Sequence, residues 1–172
     1  MRLGDDDGAS ARDALGPPSS NAASELSPDQ SASSARRTGA SGARRAGLIL
    51  IADDTFDTRE LYGFYLAQCG FAVRTVTDGE EAVQAALESR PDVIVLDLSM
   101  PRLDGIAATK HVKSHPETRH IPVIVVTGFP HRAAQRGALE AGADVFLGKP
   151  CLPEDLARHV QRLIDRSRRP AA

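Results

Sequence analysis

Residues 92–98 read DVIVLDL, and residues 122–128 read PVIVVTG. Each is a short, unbroken apolar run ending in a polar or small residue. Apolar side chains at every position, rather than at every second one, describe a strand buried on both faces, as in a parallel sheet covered by helices. LILIA (48–52) has the same texture, and FAVRTV (71–76) and DVFLG (144–148) read as two further strands. Helical stretches separate them. The first runs from about Asp57, with Leu61, Tyr65, Leu66 and Cys69 on one face, and closes at Gly70. DGEEAVQAALESR follows with Ala82, Val83, Ala86 and Leu87 inward. Gly105 to His115 buries Ile106, Thr109 and Val112, Ala133 to Ala141 is alanine-rich, and the last helix carries a stripe of Leu152, Leu156, Val160, Leu163 and Ile164. Five strands alternating with five helices predict an α/β fold, a doubly wound five-stranded parallel sheet with helices on both faces.

Composition bounds what such a fold can do. The chain has 172 residues, 41% hydrophobic and 26% charged, with 4% aromatics and no Trp, so the core must be aliphatic. A formal net charge of -2 excludes a strongly basic nucleic-acid binder. No stretch approaches the roughly 20 apolar residues that span a bilayer, and the acidic start MRLGDDDGASARDALG lacks the apolar segment of a secretory signal. Cys69 and Cys151 make neither a disulfide framework nor a zinc pattern, so a cytoplasmic setting is expected. Residues 1–46 hold few large aliphatics and are expected to form a disordered arm. Its acids (Asp5, Asp6, Asp7, Asp13, Glu25, Asp29) precede its basic block (Arg36, Arg37, Arg44, Arg45). Residues 47–168 form the compact unit and 169–172 a short tail.

In open parallel sheets, ligands bind beyond the carboxyl ends of the strands. Strand one ends in Asp53-Asp54, strand three in Asp97, strand four in Thr127-Gly128, and Lys149-Pro150 follows strand five. Singly, each residue has a plain structural use: the aspartates suit caps and turns, Thr127 a loop hydroxyl, Lys149 a surface charge. Together they place three carboxylates, a hydroxyl and an ammonium on one edge. Clustered carboxylates repel when all are ionised. A small all-oxygen ligand set without Cys or His favours Mg²⁺. Lysine is also scarce here, three (Lys110, Lys113, Lys149) against eighteen arginines, which makes its use beside the carboxylates informative.

The order DD, VLDLSMPRLDG, PVIVVTG, AGADVFLGKP resembles the receiver domain of two-component response regulators over about residues 47–168. The resemblance implies a flavodoxin-like (βα)5 three-layer sandwich with Asp97 as phosphoacceptor. It implies that Asp53, Asp54, Asp97 and the main-chain carbonyl of Ser99 hold Mg²⁺, and that Thr127 and Lys149 contact the phosphoryl group. It further implies a cis Lys149-Pro150 bond, and Thr127 with Phe146 as switch residues. Plain core packing is the other reading of Phe146. The phosphoryl donor would be a phosphohistidine on a sensor histidine kinase or a histidine phosphotransfer protein. The output would be a protein target, with no direct nucleic-acid or membrane contact; a homodimer through the face of helix four, strand five and helix five is compatible with it. The little chain beyond helix five leads us to expect a stand-alone receiver, a signalling domain rather than an enzyme.

Two rival readings remain: a phosphorylation-independent interaction module of the same fold, and a small Mg²⁺-dependent phosphatase. A resemblance to the haloacid-dehalogenase-like phosphatases, which also use a strand-end Asp, would imply a second Asp two positions on, where Ser99 stands. His111 and His115 have a metal-capable spacing without a third ligand, and Cys151 reads as a packed thiol. Dinucleotide, P-loop and GxSxG motifs are missing.

Overall fold

The computed structural model describes residues 47–169, so the expectations for residues 1–46 and for nearly all of the 169–172 tail lie outside the described residues. Ten elements alternate: β1 (Leu48–Ala52), α1 (Phe56–Gln68), β2 (Ala72–Val76), α2 (Gly79–Ser89), β3 (Val93–Asp97), α3 (Gly105–Ser114), β4 (Val123–Thr127), α4 (Arg132–Glu140), β5 (Val145–Gly148) and α5 (Pro153–Ser167). The strands form one sheet in the order β2-β1-β3-β4-β5, every neighbouring pair parallel. The predicted architecture is therefore the observed one, a doubly wound sheet between two helical layers.

The pleat explains the unbroken apolar runs. Ile49, Ile51, Val93, Val95, Ile124 and Val126 project to one face, where Tyr62 and Leu66 of α1 and Leu156, Val160, Leu163 and Ile164 of α5 cover them. Their neighbours Leu50, Ile94, Leu96, Val123 and Val125 project to the other, against Ala82, Ala85 and Ala86 of α2, Ala108 and Val112 of α3, and Ala138 of α4. All five residues of β3 and all five of β4 are buried. Each large aliphatic so buried stabilises the fold by about 1.5–3 kcal/mol before entropy is counted. The alanines of α2, α3 and α4 bring those helices close to the sheet.

Three helix faces differ from the sequence expectation. In α1 the buried residues are Tyr62 and Leu66, while Leu61 and Cys69 are exposed and Tyr65 is only half-buried. Phe56, Leu61 and Phe64 put apolar side chains on the outer sides of the same helix, so spacing alone did not mark one face. Leu152 is exposed and precedes α5 rather than joining its stripe. In α2, Ala85 is buried and the larger Val83 and Leu87 lie half-buried at the margin. Gly70, at φ 89°, closes α1 as expected.

Capping sets where the helices of the site edge begin. Asp78 caps α2 by accepting from the Glu81 amide at 2.9 Å, and Glu81 reaches back to the Thr77 amide at 2.9 Å. The return bond goes to the residue before the cap rather than to the cap's own amide, a variant of the capping box. Asp104 caps α3 through the Ala107 amide at 2.8 Å. Gly105 is fixed by proximity: a Cβ there would lie 2.1 Å from the Asp97 carbonyl oxygen, so only glycine lets α3 start this close to the end of β3.

Candidate functional site

The sheet order carries the ends of β1 and β3 side by side, with Ala52 in register with Leu96. The chain continues from both into carboxylates. Asp53, Asp54 and Asp97 each offer an oxygen, and these three oxygens lie within 4.8 Å of one another. No other group of three His, Cys, Asp or Glu side chains gathers in this way among the described residues, so His111 and His115 find no third ligand. The His115 ring instead accepts from the Glu117 amide at 3.2 Å.

Asp53 and Asp97 are buried and Asp54 is exposed. Asp53 is held on both oxygens: Oδ1 accepts from the Thr55 amide at 2.9 Å, and Oδ2 accepts from Lys149 Nζ at 2.6 Å. The Arg59 guanidinium donates to the Asp53 backbone carbonyl at 2.7 Å, tying the end of β1 to α1. Neither aspartate caps α1, because the cap position is Thr55. Lys149 Nζ also lies 3.5 Å from Asp97 Oδ1, a buried oxygen without a hydrogen-bond partner. Burial pushes the Asp97 carboxyl above its ordinary range; Lys149 opposes that shift and the Asp53 charge reinforces it. One ammonium cannot neutralise three carboxylates. The donor set, two buried carboxylates and one exposed, with an orphaned oxygen among them, fits a hard divalent cation that keeps part of its water.

Thr127 ends β4, one residue beyond the Val126 that pairs with Asp97. It is fully buried, and its hydroxyl accepts from the Phe129 amide at 3.1 Å. Its carbonyl accepts from the Lys149 amide at 2.7 Å, which joins the ends of β4 and β5. The Lys149-Pro150 bond is cis. Ser99 is exposed on the loop after β3. With Thr127, Phe129 and His131 it lines an open concavity of about 480 Å³. Phe146 is half-buried and packs against the core on the α2, α3 and α4 side. Burial pushes the Cys151 thiol up, which suits a packed thiol and not a reactive thiolate.

Three residues around the site escaped the sequence reading. Tyr62 donates from its hydroxyl to the Cys151 carbonyl at 3.0 Å, and burial raises its pKa to about 12. His131 caps α4, its Nδ1 accepting from the Ala134 amide at 3.1 Å. Arg102, in the left-handed region at φ 63°, pairs with the buried Asp78 carboxylate and donates to Glu81 at 3.2 Å. That pairing anchors the loop between β3 and α3 to the start of α2.

A five-stranded parallel sheet in this order, with an acid cluster and a lysine at its carboxyl edge, defines a receiver-type signalling fold. Comparison with known proteins agrees: the family model for the response regulator receiver domain matches residues 49–161, and the chain belongs to that family. It is 35% identical over 119 residues to the transcriptional regulatory protein GltR of Pseudomonas aeruginosa, covering 69% of this chain and 49% of that protein. It is 34% identical over 120 residues to the response regulator MprA of Mycobacterium leprae, covering 70% of this chain and 52% of that one. The chain thus spans about half the length of these curated relatives. Among solved structures it is similar to the receiver domain of a signal transduction histidine kinase from Syntrophus aciditrophicus, with TM-score 0.68 and 38% identity over 74% of this chain and 96% of that one. It is also similar to the receiver domain of a sensor histidine kinase from Pseudomonas aeruginosa, described with a magnesium ion in its active-site cleft. There the TM-score is 0.66 and identity 31% over 70% of this chain and 98% of that one. No helix among the described residues is long and apolar enough to cross a membrane.

Proposed function

We propose that the chain is a phosphoacceptor whose Asp97 takes a phosphoryl group from a phosphohistidine of a sensor histidine kinase or histidine phosphotransfer protein. The observation that carries this reading is the meeting of Asp53, Asp54 and Asp97 with Lys149 around a buried carboxylate oxygen that lacks a hydrogen bond. Asp53, Asp54, Asp97 and the Ser99 carbonyl are the groups that would hold Mg²⁺. When bound, Mg²⁺ supplies positive charge against which the carboxylates and the phosphoryl oxygens can crowd.

The chain's own groups do the rest. Asp97 attacks phosphorus as an oxygen nucleophile. An O–P bond forms while the P–N bond to the donor histidine breaks, and the imidazole leaves with the bonding pair. Lys149, held by Asp53, presents an ammonium to the transferred group, and the Thr127 hydroxyl can donate to it by turning from the Phe129 amide. Such catalysis is positioning and charge neutralisation. The added charge is then available to Thr127 and Phe146 as a switch that alters the surface of α4, β5 and α5 for a downstream protein.

Incubation with acetyl phosphate and Mg²⁺ tests this directly. Intact-mass measurement should show one added phosphoryl group on the native protein and none on Asp97→Ala. Full incorporation by the variant, or none by the native chain, overturns the assignment. Catalytic turnover of p-nitrophenyl phosphate would instead favour a phosphatase.

A further inference from the structure

The loop between β3 and α3 carries Ser99, and three residues further on it holds Arg102 at φ 63°, in the left-handed region where glycine would be relaxed. A non-glycine residue stays in such a conformation when the surrounding structure over-determines it. The guanidinium shows what does so here. Its terminal nitrogen pairs with Oδ2 of the fully buried Asp78 and donates to Glu81 Oε1 at 3.2 Å, while Nε lies 3.8 Å from Glu80. Asp78 in turn caps α2, and Glu81 accepts from the Thr77 amide. Thr77 follows Val76, whose carbonyl accepts from the Asp53 amide at 3.3 Å. A chain of contacts therefore leads from Arg102 to the strand end that carries Asp53.

The backbone leaves this loop little slack. On the α2 side, a Cβ on Gly79 would lie 2.1 Å from the Leu103 carbonyl oxygen, so the helix start presses on the loop. Within the loop, the Leu103 amide donates to the Pro101 carbonyl at 2.7 Å and the Gly105 amide to the Leu98 carbonyl at 3.1 Å. Met100 is buried in the core. Ser99 is exposed, so its carbonyl depends for its place on how its neighbours in the loop are held.

We propose that Arg102 is a positioning residue for the cation site: by bridging Asp78 and Glu81 it fixes the loop between β3 and α3, and with it the Ser99 carbonyl, for Mg²⁺ binding. The inference rests on the reading of Asp53, Asp54, Asp97 and Ser99 as the groups that hold Mg²⁺. Groups that orient metal ligands without touching the metal typically account for about 10–100-fold of its affinity. Arginine suits this place because one guanidinium serves both acids at once. Glycine would relax the backbone but leave the Asp78 carboxylate buried without its counter-charge.

Arg102→Gly alone would leave that carboxylate unpaired and could unfold the protein, so the test uses Asp78→Asn/Arg102→Gly. Asparagine keeps an oxygen to cap α2, glycine suits the left-handed backbone, and one charge of each sign is removed. Mg²⁺ affinity is measured by calorimetry on the full chain, at a temperature where circular dichroism shows every protein folded. The double variant should bind Mg²⁺ about 10–100-fold more weakly than the native chain. Arg102→Lys, which keeps a charge for Asp78, should lie between them. Without metal, amide hydrogen exchange at Leu103 and Gly105 should be faster in the double variant. Native-like Mg²⁺ affinity in the double variant overturns the proposal even where its melting point falls, since Arg102 is then structural only. Weaker binding with unaltered exchange overturns it too, because the loop was not what moved. Absence of Mg²⁺ uptake by the native chain itself overturns the ligand reading, and this inference with it.

Discussion

Lys149 Nζ donates to Asp53 Oδ2 at 2.6 Å, a contact between residues 96 positions apart that fastens the end of β5 to the end of β1. The same ammonium lies 3.5 Å from Asp97 Oδ1. Lys149→Met therefore removes the partner of one buried carboxylate and the nearest counter-charge of another. Breaking a buried pair from one side costs about 3 kcal/mol, and denaturant unfolding should register a loss of that order. Since Lys149 holds the Asp97 carboxyl down, its removal should raise the Asp97 titration midpoint, followed by carbon-13 NMR of the carboxyl. An unmoved midpoint would show that the two groups do not communicate.

Asp97 itself makes stability depend on pH in a stated direction. Its folded pKa is raised, chiefly by burial, so in the window between the ordinary carboxylate value and the folded one the native state holds a proton that the unfolded chain has released. Stability from this group is therefore greatest below the ordinary value and is lost as pH rises through the folded one. Asp97→Asn removes that loss. Without Mg²⁺ the variant should melt above the native protein at pH 7, with the advantage shrinking toward pH 4. A constant difference across that range would contradict the linkage.

Mg²⁺ should stabilise the native protein more than it stabilises Asp54→Ala. A ligand at a hundredfold excess over its dissociation constant contributes about 2.7 kcal/mol. Asp54 is exposed and its only hydrogen bond among the described residues is from Thr55 Oγ1 at 3.3 Å, so its removal should leave metal-free stability nearly unchanged. Thermal melts with and without Mg²⁺ separate the two effects. Equal Mg²⁺-dependent gains in both proteins would remove Asp54 from the ligand set.

Gly105→Ala probes the strand end through the backbone. The new Cβ would meet the Asp97 carbonyl at 2.1 Å, and the next nearest atoms are also main chain, at 2.9 Å. No side chain can turn aside, so α3 or the end of β3 must move. Overpacking of this kind typically costs 1–3 kcal/mol, and we expect about 3 kcal/mol from urea unfolding together with weakened Mg²⁺ binding. A variant as stable as the native chain would mean the loop absorbs the shift.

The strands and the acidic edge were legible because their signals are local. VIVLD and VIVVT can hardly be anything but buried parallel strands, and the chain order then forces their polar ends together. What stayed hidden depends on contacts or on an unmarked phase. The buried face of α1 could not be read while Phe56, Leu61 and Phe64 spread apolar side chains around the helix. The bond between Arg102 and Asp78 joins two loops through a left-handed arginine that nothing in RLDG announces. The cap of α2, by contrast, rests on an aspartate standing directly before the helix, a local signal.

The cap of α4 was illegible for another reason, because histidine stands outside the usual capping set of Ser, Thr, Asp and Asn. His131 serves because its ring Nδ1 accepts from the Ala134 amide in the place of a capping side-chain oxygen. The helix it starts buries only Ala134 and Ala138, so its first turn has little packing to fall back on. His131→Ala should thus cost about 1 kcal/mol, the usual loss for an N-cap, and speed hydrogen exchange at the first-turn amides of α4. His131→Asn restores an acceptor at the same position and should recover most of the protection. If exchange in α4 is identical in all three proteins, the ring nitrogen is not what holds the helix start.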